Sequence, residues 1–130
     1  VTVLGLLLVF PNVEDLVGTY LSERSELTGT PVVTTLPGDY DGRAATVLLT
    51  RVGGVYLDDD RLDRALLRID AYGPDKAAAH RLALTVRGLM WAMPVTGMAE
   101  ERGPHWLPDT PHQHAARYMA RYQLTIPVTG

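Results

Sequence analysis

Residues 64–94 read RALLRIDAYGPDKAAAHRLALTVRGLMWAMP, and a change of period inside this stretch decides the fold. Up to Tyr72 the period is two. Ala65, Leu67, Ile69 and Ala71 fall on one side and Arg64, Arg68 and Asp70 on the other, the pattern of a strand with one buried face. Gly73-Pro74-Asp75 stops the strand and starts a helix. Ala79, Leu82, Ala83, Val86, Leu89, Met90 and Met93 then recur at helical spacing until Pro94 ends the run.

Working outward, residues 95–102 read as a further strand. Residues 117–126 alternate again, Tyr118, Ala120, Tyr122, Leu124 and Ile126 against Arg117, Met119, Arg121, Gln123 and Thr125. Upstream, residues 44–52 (AATVLLTRV) are apolar on both faces, which predicts a central strand ended by Gly53-Gly54. A short strand is expected over 31–36. Before it, Asn12 caps a helix whose first turn carries Glu14 and Asp15 and whose apolar stripe is Val13, Leu16, Val17, Tyr20 and Leu21. The order helix, strand, strand, strand, helix, strand, strand predicts an α+β fold, an α/β sandwich. A small, mainly antiparallel sheet of about five strands would carry two helices on one face. Residues 53–63 and 103–115 are left as long connections, a class of loop that is usually functional or mobile.

The 130 residues suit one domain over 11–130, preceded by an apolar arm, VTVLGLLLVF, over 1–10. The arm is shorter than the roughly 20 residues of a membrane span and lacks the basic region of a secretory signal, so no membrane association is expected. Val1 in the first position reads as a non-ATG start or a trimmed residue. Fully extended, the arm spans about 33 Å, enough to pack on its own domain or reach a neighbour, with Leu6, Leu7, Leu8 and Phe10 as candidate contacts. At 46% hydrophobic and 21% charged residues, wholesale disorder is not expected. The net charge of −3 gives no strong pull toward nucleic acid. Absence of cysteine excludes disulfides, thiolate catalysis and Cys-ligated metals.

The chain offers no convincing catalytic constellation. His112 and His114, with His105 nearby, lack the further ligands that zinc needs and read as loop histidines. Asp58, Asp59 and Asp60, with Asp63, lack the alternating pattern of a calcium loop and read as a solvated acidic loop. Ser22 and Ser25 have no nucleophile-elbow context, and no phosphate loop is present. No cofactor or metal is expected. His80 lies with Leu84, Arg87 and Trp91 on a stripe that reads as partner-facing or core-edge. One pattern stands apart from these. If the strands holding Arg64, Arg68, Arg117 and Arg121 share a sheet, four guanidiniums share a face. That face suits a phosphate backbone, an acidic loop such as Asp58–Asp60 of another copy, or plain solvation.

Five pieces in order carry a resemblance: PNVEDLVGTYL, VVTTLP, LLTRVGG, the block from Arg64 to Met90, and GPHWLPD followed by RYMARYQLTI. Together they resemble the tail terminator proteins of long-tailed bacteriophages over nearly all of residues 11–126, with the apolar arm as a departure. The resemblance implies a structural, non-enzymatic virion protein assembled in the host cytoplasm. Its members form a homo-hexameric ring on the head-proximal end of the tail tube, in the neck region. Such a ring stops tube polymerisation and contacts the tube protein on one side and a head-closure or connector protein on the other. DNA passes through its channel without sequence-specific binding. A head-closure or connector ring of the neck, and a small nucleic-acid-binding α+β domain, are the alternative readings.

Overall fold

The computed structural model describes residues 9–57, 61–112 and 115–127, with the backbone of residues 2–3 and 6–7. Its elements are β1 (Thr2–Val3), β2 (Leu6–Leu7), α1 (Val13–Ser22), β3 (Val32–Val33), β4 (Thr46–Leu57), β5 (Leu62–Gly73), α2 (Lys76–Trp91), β6 (Gly97–Trp106) and β7 (Ala116–Pro127). Short 3-10 turns lie at Ser25–Leu27 and Thr110–His112. The main sheet has the order β3-β4-β5-β7-β6, antiparallel except for β3 beside β4. This is the expected α+β arrangement.

Both helices start where a side chain satisfies their free N–H groups. Asn12 Oδ1 accepts from the backbone of Glu14 at 2.9 Å and Asp75 Oδ1 from that of Ala78 at 2.8 Å. Helix α1 buries Val13, Val17 and Leu21 toward β4 and β3; α2 buries Ala79, Ala83, Val86, Leu89 and Met90 toward β5, β7 and β6. The sheet meets them with Val47, Leu49, Leu67, Ile69, Tyr122 and Leu124, one face of the period-two pattern. Where β5 hands over to α2, a Cβ on Gly73 would stand 2.7 Å from the backbone nitrogen of Ala79, so only glycine fits.

Two sequence expectations are corrected. Gly53-Gly54 does not end β4, because the pairing register shifts between Arg51 and Gly53 and the strand continues to Leu57. The glycines let the strand pass through a bulge. Gly54 has φ +120°, and a Cβ there would lie 2.2 Å from the carbonyl oxygen of Arg64. The long 53–63 connection is therefore a hairpin, while β4 lies between β3 and β5 as expected of a central strand, its β3 side paired only at Val47 and Leu48. Likewise β6 runs past Arg102 through Gly103-Pro104 to Trp106, with register shifts that fit an edge position. Gly54→Ala is expected to cost about 1–3 kcal/mol of stability by urea unfolding. Gly53→Ala, where an added Cβ meets nothing within 4 Å, should stay near wild type.

Candidate assembly surface

The pairing of β5 with β7 decides where the arginines go. Arg68 lies directly across from Arg121, Tyr72 across from Arg117, and Arg64 four residues along β5 from Arg68. All four therefore occupy the face of the sheet opposite the helices. That face has two unlike halves.

At one end the segments 37–45 and 107–112 close over it. Tyr72 and Asp70 are 1% exposed there, and the Arg117 side chain only 13%. Tyr72 Oη donates to Asp109 Oδ2 at 2.6 Å, and His112 Nδ1 lies 2.8 Å from the same oxygen. Arg117 Nη1 is 3.6 Å from Asp109, its Nε 3.9 Å from Asp70, and its Nε donates to the Leu107 carbonyl at 2.8 Å. The Tyr40 ring packs edge-on against Tyr72 at 5.4 Å, and Gly42, at φ +81°, sits where a Cβ would meet that of Ala115 at 2.8 Å. Arg117 is thus a clasp holding the 107–115 segment on the sheet.

The carboxyls of this clasp are tuned in opposite senses. Burial pushes Asp70 above the usual carboxylate range against the pull of Arg68 and Arg117. Burial also opposes charge on Asp109, but the Tyr72 hydroxyl, Arg117 and His112 together hold it below its ordinary value. Burial, followed by the Asp109 hydrogen bond, raises the Tyr72 hydroxyl. A carboxyl whose folded value is depressed stabilises above its unfolded value, and that contribution fades as pH falls through the folded one. Tyr72→Phe is accordingly expected to cost about 1.5–3 kcal/mol at pH 7. The difference from wild type should shrink in acid as pH falls below the ordinary carboxylate range toward the depressed value at which folded Asp109 takes up its proton; thermal unfolding across pH checks it.

The other end is open. Arg68 Nε holds both Asp70 oxygens at 3.1 Å, and Arg121 Nε lies 2.8 Å from Glu101 Oε2, while their side chains keep 31% and 34% exposure. Arg64 is exposed and makes no ion pair among the described residues. Leu66, Gln123 and Thr125 are half-buried around them. The arginine row is real as a placement, but it is an open group of three plus one clasp residue. The sequence reading missed Tyr72, Asp109 and Tyr40. Tyr72 stood in plain view on the polar phase of β5, but its partner lies 37 residues away.

Asp58, Asp59, Asp60, Leu8 and His114 lie outside the described residues, and Leu6 and Leu7 are described only as backbone paired with Thr2–Val3. The Phe10 ring rests 5.0 Å from that of Tyr56. His105 Nδ1 is 3.1 Å from the Gly103 carbonyl and His80 stacks on Tyr118 at 4.4 Å. Among the described residues, no group of three or more His, Asp or Glu converges to hold a metal.

A second ion pair lies on the helix side. Arg51 grips Asp63, which is fully buried, through two bonds of 2.6 Å, and the Glu14 carboxylate accepts from the Arg51 backbone N–H at 2.8 Å. This pair ties α1 to the β4–β5 hairpin.

A family model described as phage tail termination protein matches residues 9–110, from the entry to α1 through β6, and leaves β7 beyond its end. No curated protein matches the chain. The match covers well over half of the sequence: the chain belongs to the phage tail termination family, structural and non-enzymatic components of the bacteriophage tail that associate with other tail and head-proximal proteins.

Proposed function

We propose that copies of this chain close into a hexameric ring on the head-proximal end of the tail tube. The ring stops tube growth and offers its far side to a head-closure or connector protein of the neck, with DNA passing through the channel unread. Family membership supports the tail role. The observation that carries the ring is the helix-free face of the sheet, where Arg64, Arg68 and Arg121 remain partly or fully exposed with no layer of the described residues over them. A closed ring needs such a surface, distinct from the one it meets on the next copy. Arg68 and Arg121 already face carboxylates, which favours contact with protein over a phosphate backbone. In this reading the segment over 1–10 precedes the domain over 11–130 and meets a neighbour, with Thr2–Val3 folded back on Leu6–Leu7 rather than fully extended as the sequence allowed.

The test is a phage lacking this protein, imaged by electron microscopy. Overlong, headless tubes that regain normal length and heads when the protein is supplied are the expected result. Tubes of normal length already joined to heads without it would overturn the proposal. Normal tubes that fail only at joining would point to the connector role.

A further inference from the structure

We infer that the open arginines of one copy dock on the exposed ridge of α1 on the next copy; the inference rests on the ring reading above and names the contact. The ridge is Asp15, Thr19 and Glu23, with Ser22 beside it, all exposed. Grooves run along both flanks. One, of about 620 Å³, lies between α1 and residues 32–35; the other, of about 510 Å³, has Leu16, Tyr20, Met93 and Pro94 in its wall. Asp15, Thr19 and Glu23 border both grooves. Among the described residues Asp15 has no ion pair, and Glu23 only a 3.9 Å approach to Arg24.

Three observations select a second copy as the occupant. The charges are complementary: the ridge offers carboxylates and hydroxyls, and the sheet face offers guanidinium donors. The spacing also agrees. Asp15 and Glu23 are eight residues apart on a helix, about 12 Å, and Arg64 and Arg68 are four apart on a strand, about 13 Å. Finally, one copy cannot satisfy itself, because α1 packs on one face of the sheet and these arginines stand on the other. The contact is therefore head to tail, the kind that closes rings. Exposed ion pairs add little affinity each, so these set register and partner choice more than strength.

The absence of cysteine permits a direct test on the full chain. Thr19 lies midway along the ridge and Leu66 midway between Arg64 and Arg68, so Thr19→Cys and Leu66→Cys proteins mixed under mild oxidation should give chiefly the mixed disulfide dimer. In sedimentation at low salt, Asp15→Arg with Glu23→Arg should weaken self-association tenfold or more, and so should Arg64→Glu, which leaves the Arg68–Asp70 pair intact. Mixing the two variants should restore association between unlike chains. Association of wild type with no restoration on mixing, or preferential cross-linking of Leu66→Cys to Asp59→Cys, overturns the ridge while leaving the ring standing. A wild type that stays monomeric at all concentrations, alone and on tail tubes, overturns both.

Discussion

Arg117→Glu will cost at least about 3–5 kcal/mol of stability, whereas Arg64→Glu will cost almost none, although both residues belong to one arginine row. The difference follows from what surrounds each. Arg117 is 13% exposed and stands between Asp70 and Asp109, two carboxyls that are 2% and 6% exposed at the side chain. Reversing its charge leaves Asp109 without its guanidinium and Asp70 with Arg68 alone, and adds a third carboxylate among them. It also removes the bond to the Leu107 carbonyl, so the 107–115 segment loses its hold on the sheet. Circular dichroism during urea unfolding should show the loss at pH 7. Part of it should return in acid, as the crowded carboxyls protonate. Arg64 is exposed, so Arg64→Glu should unfold with wild-type midpoint and slope, and its effect should appear only in association. An Arg117→Glu protein as stable as wild type would dismiss the clasp.

This contrast shows which parts of the fold were legible in sequence. The period-two pattern in 64–72 and 117–126 put Arg64 with Arg68 and Arg117 with Arg121 on one face of each strand, and the pairing of β5 with β7 brings the two pairs onto a common face. Helix starts were legible because Asn12 and Asp75 act within three residues of themselves. Burial of a polar residue was not, because it depends on chain that returns from far away: Arg117 and Tyr72 look alike on the polar phase until the 107–115 segment folds over them. The paired glycines failed for a different reason. Glycine breaks a strand or lets it bulge, and only the approach of the Arg64 carbonyl distinguishes the two. Extending β4 to Leu57 also leaves Val55 and Tyr56 exposed on the hairpin, residues that a loop assignment over 53–63 had placed outside any element.

The same hairpin carries the other large expected effect, and the asymmetry of its ion pair sets the sign of the comparison. Asp63 is fully buried while the Arg51 side chain keeps 26% exposure. Arg51→Ala strands a carboxylate in the interior with no cation and should cost about 3–5 kcal/mol. Asp63→Ala leaves an arginine that can swing into water, so its cost should fall near the low end, about 3 kcal/mol including the lost packing. Replacing both, Arg51→Met with Asp63→Leu, should recover most of the loss, because an apolar pair of similar bulk needs no compensation for desolvation. Equilibrium unfolding of the three variants forms the measurement. Arg51→Ala less damaging than Asp63→Ala would mean that water reaches Asp63. Beyond stability, the pair fixes the hairpin against the start of α1, since Glu14 is held by the Arg51 backbone. Loosening it should therefore let the start of α1 shift on the sheet and weaken association by more than the lost fraction of folded protein explains.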